Sequence, residues 1–530
     1  MSKIGKAAAV VSGGILLSRV LGFARTSIIA SLLGIGREAD IYHAAFFIPD
    51  LLFYLMAAGF LSITFIPILS KRIAEEDERA AWAAFAAILR VIAPLMVVIT
   101  LASMIWTEPL LRFAFDKLYT LFSGGAAGSL VGPELVRLTR IVLPAQFFFM
   151  VGSLFMGVQY TQGRFALPAL APIVYNASII VGGLVGLLIN TDGAATPEGF
   201  LWGALFGAVL GNFALQGYGA RTAGLRWVRP TAGDTAVREY AVLALPLMLG
   251  QSIAVLDEQF VRIFGQQVEG GIGGLGYARA LNMLPVGLVA QAAGIASYPT
   301  LARLAAEKKL GEMRAVLNQT LMTAVFLGGF AAAAVGAVAI PAVRVAFQRG
   351  SFEPADTVLT ASFLGLYALS IPFWAGHQLL GRGFYAQRRM WVPVTVGTVT
   401  TVLAVFIYRQ LGSSMGVAGI AAASSASIAL YSILLGALWL REGENAGVLV
   451  TSVARSLALS AVTMWVGLQV VGSFSPLEDQ GIGTSLVALT VGGLTVLTLF
   501  IGLAWLFKFP ELQRLLARKA ATPVVEEGSD

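Results

Sequence analysis

Tyr160-Thr-Gln-Gly-Arg164-Phe-Ala-Leu-Pro168 returns about 225 residues later as Tyr385-Ala-Gln-Arg-Arg389-Met-Trp-Val-Pro393. Two more echoes keep the same order. Leu-Leu-Arg-Phe-Ala-Phe, ending at Phe115, answers Ala-Val-Arg-Val-Ala-Phe, ending at Phe347. Ala57-Ala58-Gly59 followed by Pro67 answers Ala292-Ala293-Gly294 followed by Pro299. A slowly drifting offset is what a duplication with small insertions produces. If the offset spans an even number of membrane helices, the two copies share one orientation. That gives a parallel repeat about an axis along the membrane normal.

The surroundings of these echoes make the membrane reading necessary. Of 530 residues, 57% are hydrophobic and 12% charged, with a mean hydropathy of +0.80. Soluble proteins carry about 25% charged residues. Apolar runs long enough to cross a hydrocarbon core of about 30 Å recur from end to end. They predict about fourteen helices, over 8–33, 40–70, 80–107, 133–159, 165–190, 197–221, 237–264, 273–303, 312–346, 356–386, 391–411, 415–440, 449–473 and 483–507. The expected fold is an all-α polytopic membrane protein with two parallel six-helix repeats and two extra C-terminal helices. Its divisions are an N-terminal lobe over 1–230, a C-terminal lobe over 231–445, an appended pair over 446–507 and a tail over 508–530. The first run follows Lys3 and Lys6 but contains Arg19 and Arg25, so it is expected to be a retained helix rather than a cleaved signal.

Basic residues favour the loops on the N-terminal side by roughly three to one, which predicts both termini in the cytoplasm. The same rule explains the net charge of +7 without nucleic acid. The tail is expected to open as an amphipathic helix, with Leu512, Leu515 and Leu516 beside Arg514, Arg518 and Lys519. Its acidic end, Glu526–Asp530, is expected to be solvated. Glycines at helical spacing, Gly182 with Gly186 and Gly203 with Gly207 and Gly211, are expected to let helix backbones approach.

Composition excludes several chemistries. A chain with no cysteine holds no disulfide, thiolate nucleophile or Cys-ligated metal, and two histidines leave little for a metal site. No cofactor is expected. Gly271-Ile-Gly273-Gly-Leu-Gly276 matches a dinucleotide fingerprint literally, but no βαβ unit surrounds it. A membrane glycosyltransferase would want clustered carboxylates on sizeable loops, and none is present.

Ionisable groups inside spans are costly and mark a cavity, a partner or an interface. Arg19 and Arg25 lie on the first helix, about 240° apart on an ideal helix with Gly22 between them. Two arginines suit a phosphate-bearing substrate, because guanidinium forks match phosphate oxygens. Asp40 opens the second helix, either pairing an arginine or capping that helix. Glu258 and Arg262 stand one turn apart and form a local ion pair. Asp257 is then left as a candidate coupling-ion or proton site. Arg279 is the matching cation of the second lobe. His43 and His377 read as ordinary hydrogen-bonding residues.

These residues resemble the MurJ (MviN) lipid II flippases of the multidrug/oligosaccharidyl-lipid/polysaccharide exporter superfamily. The segments that carry the resemblance are Ser18-Arg-Val-Leu-Gly-Phe-Ala-Arg25, Phe47-Ile-Pro-Asp-Leu-Leu52, Gly163-Arg-Phe-Ala-Leu-Pro-Ala-Leu-Ala-Pro172 with Asn176, Ala346-Phe-Gln-Arg-Gly-Ser-Phe352 and Phe384-Tyr-Ala386. The resemblance implies a transporter and not an enzyme, sited in the bacterial cytoplasmic membrane. It implies export of undecaprenyl-pyrophosphate-linked peptidoglycan precursor by alternating access, with a lipid-tail groove along the last two helices. Cell-wall synthesis proteins are the implied partners of a monomer. Arg19, Arg25 and Asp40 match functional positions of the family's first lobe, and Asp257 an acidic position of its sodium site. The chain also departs from the pattern. Phe53 replaces a basic residue and Ala58 a glutamate. Tyr277-Ala278-Arg279-Ala280 shifts an arginine by one position, and Ala404 and Tyr408 stand at expected sodium ligands. The rival readings are a flippase for another polyprenyl-linked glycan, a degenerate flippase-fold scaffold and a drug–cation antiporter. Two first-lobe arginines weigh against the antiporter.

Overall fold

The computed structural model describes residues 3–56, 64–75, 77–123, 125, 130–191, 193–230, 235–249, 253–442, 446–474 and 481–520. Ala57–Gly59, with Ala58 among them, and Glu526–Asp530 lie outside the described residues. Every described regular element is helical. Nine described helices are long and apolar enough to cross a membrane, or ten if the bent pair Pro354–Ala368 and Ile371–Ala386 forms one span. The chain is an all-helical, multi-pass membrane protein.

The helix ends follow local chemistry. Asp77 caps Glu78–Ile105 by accepting from the Ala80 amide at 2.7 Å. Pro133 and Pro197 stand in the first turns of their helices, where a missing N–H costs nothing. Helix Trp391–Leu440 has 50 residues, which would be about 75 Å if straight. Gly416 breaks it with a φ of 60°, open to glycine without strain. Gly419 packs directly on the Leu411 carbonyl, eight residues back, a separation of about 12 Å in a continuous helix. The chain therefore reverses here, just after the expected break at 411–415.

The chain divides into two compact units. The first comprises Met1–Tyr277, Phe347–Asp356 and Tyr408–Ile420. Its core includes Phe65, Leu69, Trp82, Phe85, Ile88, Leu154 and Phe155, with Phe85 stacked on Phe155 at 5.9 Å. Helices Ala166–Ile189 and Pro197–Gly207 meet through the expected glycines. A Cβ on Gly182 would lie 2.6 Å from the Gly203 Cα, and one on Gly203 would lie 2.8 Å from the Ile179 Cα. Gly270, at φ 81°, turns the chain into helix Gly271–Val286. A Cβ on Gly273 would lie 2.7 Å from the Ala39 Cβ. The glycine run thus serves helix contact, as its lack of a βαβ unit implied.

The second unit comprises Ala278–Ala346, Thr357–Ile407 and Ala421–Asp530. Phe326, Leu459, Phe500, Phe509 and Leu512 form one of its cores. Arg344 is 1% exposed and donates to Ser485 Oγ at 3.4 Å. Glu442 joins three helix ends. Its carboxylate pairs with Arg389 and Arg314, each at 2.7 Å, and Arg314 stacks over Trp439 at 5.0 Å.

Two stability predictions follow from these contacts. Gly203→Leu would overpack the helix contact at a cost of roughly 1–3 kcal/mol. A lowered thermal midpoint in detergent checks this, with Gly502→Leu, which meets open space, as the control. The Arg389 and Arg314 bonds hold the Glu442 carboxyl below its usual 4.5. Its contribution is therefore complete above that value and fades as pH falls through the lower folded value. The midpoint difference between wild type and Glu442→Gln should shrink in acid; an equal difference at every pH would contradict the ion-pair account.

Candidate functional site

A charged cluster lies inside the first unit, where three helices supply it. Phe47–Met56 carries Asp50 and Tyr54, and Ile253–Gly265 carries Glu258, Gln259 and Arg262. Lys3–Leu33 carries Arg25. Arg262 Nη2 donates to Asp50 Oδ2 and Glu258 Oε1, both at 2.7 Å. Arg262 Nη1 also reaches Gln259 Oε1 at 3.4 Å. Tyr54 donates its hydroxyl to Glu258 Oε2 at 3.3 Å. The Arg262 side chain is only 7% exposed, against 29% for Asp50 and 31% for Glu258. A guanidinium taken out of water needs such partners, because desolvation costs several kcal/mol per ion.

Counted formally, Arg262 with two carboxylates carries one negative charge, and Arg25 offsets it. The Arg25 charge acts electrostatically on Tyr42, His43, Asp50 and Tyr175. Its Nε is buried and has no hydrogen-bond partner among the described residues. The helix runs unbroken through Gly22, which is lined by Asn176, so the expected freedom to bend there is unused. Asn176 Nδ2 approaches the Ser18 carbonyl at 3.5 Å. Arg262 is therefore bound to carboxylates, whereas Arg25 brings positive charge with donor capacity left over.

The other residues singled out by sequence fall in different settings. Asp40 is 3% exposed, and its carboxylate accepts from the amides of Gly270 at 2.7 Å and Gly273 at 2.8 Å. It thus closes the N-terminus of helix Gly271–Val286, not that of its own helix, and none of these bonds involves an arginine. Asp257 is fully buried and accepts from the Tyr408 hydroxyl at 2.7 Å. Tyr408 stacks on Phe264 at 5.2 Å. Arg19 is half-buried in the first unit, and half-buried Arg279 belongs to the second. Both have interaction partners. The local Glu258–Arg262 pair exists, but Asp50 shares it. Phe53 is 39% exposed and packs edge-on to Tyr54 and Phe149.

Sequence reasoning quoted Asp50 inside a motif and gave it no role. The available signal was a carboxylate in an apolar run. Its partner, 212 positions away, gave no local clue. No three His, Asp or Glu side chains converge on a possible metal position among the described residues.

Comparison with known proteins places this architecture. The family profile described as lipid II flippase MurJ matches residues 29–492. A probable lipid II flippase MurJ of Rhizobium tropici is 26% identical, over 94% of this chain and 92% of that protein. One from Bdellovibrio bacteriovorus is also 26% identical, over 98% of both. Among solved structures, a lipid II flippase MurJ in an inward closed conformation superimposes with a TM-score of 0.72 at 20% identity, covering 93% of this chain and 98% of that one. An inward-facing multidrug resistance MATE family transporter gives 0.63 at 15% identity, covering 82% of this chain and 96% of that one. The helical architecture is therefore that of the MurJ and MATE transporters, and the chain belongs to the MurJ lipid II flippase family of the multidrug/oligosaccharidyl-lipid/polysaccharide exporter superfamily, a family of transporters rather than enzymes.

Proposed function

We propose that this chain translocates undecaprenyl-pyrophosphate-linked peptidoglycan precursor, lipid II, across the bacterial cytoplasmic membrane by alternating access. The observation that carries this reading is Arg25, a half-buried arginine whose Nε is buried and has no hydrogen-bond partner among the described residues. A guanidinium with a spare donor is a strong receptor for pyrophosphate oxygens where water is scarce. Family membership supports the substrate class. In this reading Arg19 and Arg279 are further contacts to the anionic head, while Asp40 holds the helix framework around them. The framework is fourteen helices in two parallel six-helix repeats plus two, with both termini cytoplasmic. Asp257 is the coupling site. A proton or cation arriving there competes with the Tyr408 hydroxyl for the same carboxylate.

A second substrate deserves equal treatment because of Phe53. An apolar ring stands where the family has a basic residue, so the head group meets one positive charge fewer. A polyprenyl-linked glycan with a less anionic head fits that change. A scaffold without transport activity would make Arg25 dispensable.

Complementation of a bacterium depleted of its own lipid II flippase tests the proposal. Wild type should restore growth and Arg25→Ala, at equal membrane level, should not. Rescue by Arg25→Ala would overturn the role given to Arg25. Failure by a well-expressed wild type would overturn lipid II as the substrate in that host. Asp257→Asn keeps an acceptor for Tyr408 but cannot change charge, so rescue should be lost while thermal stability is kept. Asp50→Ala should differ, because it strips a buried cation of a partner. It should lower the thermal midpoint, at about 1–3 kcal/mol.

A further inference from the structure

Within the second unit, the start of helix Ala446–Gly472 and the short helix Pro510–Ala520 enclose a cavity of about 460 Å³. That volume lies in the range of small-molecule sites. Its apolar wall is Met322, Val448 and Phe509, and its polar groups are Ser452, Arg455, Glu511 and Arg514.

The polar groups are only half satisfied. Glu511 is 1% exposed, its Oε1 accepts from Ser452 Oγ at 2.5 Å, and its buried Oε2 has no hydrogen-bond partner among the described residues. Arg514 Nη1 is buried and equally unpartnered. Arg455 lies over the Phe509 ring at 4.7 Å and donates Nη2 to the Phe507 carbonyl at 2.8 Å. Arg455 also lines the cavity, and the Phe507 bond uses only its Nη2. The first amides of helix Ala446–Gly472 add a partial positive charge on the same side. A buried carboxylate oxygen without a donor costs free energy unless something fills the place.

The needs of these groups define the occupant. Arg455, Arg514 and the helix amides call for a phosphate. Glu511 Oε2 calls for a cation that donates N–H. The apolar wall, together with Leu512 packed into the core, calls for a chain-bearing molecule at a membrane interface. We propose that this cavity binds the head group of a phosphoethanolamine lipid, with the phosphodiester on Arg455 and Arg514 and the ammonium on Glu511. Phosphatidylglycerol meets the arginines but leaves Glu511 without a counter-charge. Phosphatidylcholine has no N–H to give. The inference goes beyond the transport reading and does not depend on it.

Native mass spectrometry of the full chain from nanodiscs of mixed phosphatidylethanolamine, phosphatidylglycerol and phosphatidylcholine tests it. Wild type should retain phosphatidylethanolamine over phosphatidylcholine by about tenfold, the scale of one charge-assisted hydrogen bond. Glu511→Gln, which keeps an acceptor for Ser452, should bring that ratio close to one while the thermal midpoint is unchanged. Arg514→Gln, at a half-exposed residue, should lower retention of all three lipids. In a second arm, soluble glycerophosphoethanolamine should not displace the lipid, because it lacks contact with the apolar wall. Equal retention of the three lipids by wild type, or an unchanged ratio in Glu511→Gln, would overturn the proposal. Displacement by the soluble head group at millimolar concentration would overturn the lipid as the ligand.

Discussion

The guanidinium of Arg262, shared between Asp50 and Glu258, is the constraint on which the first unit's interior depends. An arginine 7% exposed is largely removed from solvent. It persists because two helices bring carboxylates to 2.7 Å and a glutamine and a tyrosine complete the shell. Such a cluster is weak evidence for stability as such, since apolar replacements of buried ion pairs are often neutral or better. Its consequence is positional. It pins helix Phe47–Met56 to helix Ile253–Gly265 and uses up the cation at its centre. Positive charge with a free donor, the buried Nε, is then left to Arg25. A site built this way separates the arginine that holds the structure from the arginine that can meet a ligand.

The same separation runs through the other carboxylates. Asp40 and Asp257 are both buried; the sequence offered Asp40 as an arginine partner or a cap of its own helix, and Asp257 as a coupling-ion candidate. Asp40 instead satisfies amides at the start of another helix, an arrangement that the helix dipole favours. Asp257 is engaged by the Tyr408 hydroxyl, 151 positions away. Burial of an acid in a membrane protein therefore does not by itself define its role; its partners do.

The membrane helices were legible because their signal is local. Twenty apolar residues in a row can be recognised without knowing what they touch. The ends of Glu78–Ile105, Ala166–Ile189 and Ile482–Leu506 fall within a few residues of expectation. The glycine contacts were legible for the same reason, since helical spacing is a property of one segment. Long-range pairings were not. Asp50 and Arg262 are 212 positions apart, and Asp40 and Gly270 are 230 apart. Nothing in either segment names the other. Arg344 and Ser485 are likewise 141 positions apart. Arginines in the first helix stood out by cost alone, but which of them keeps donors free depended on neighbours contributed by other helices.

The most direct test of this account is equilibrium binding of a polyprenyl pyrophosphate and of the uncharged polyprenol to the purified protein. Wild type should prefer the pyrophosphate. Arg25→Gln should lose about tenfold of that preference, the worth of one charge-assisted hydrogen bond, with polyprenol binding unchanged. Equal discrimination by wild type and Arg25→Gln would contradict the assignment of Arg25 as the anion receptor.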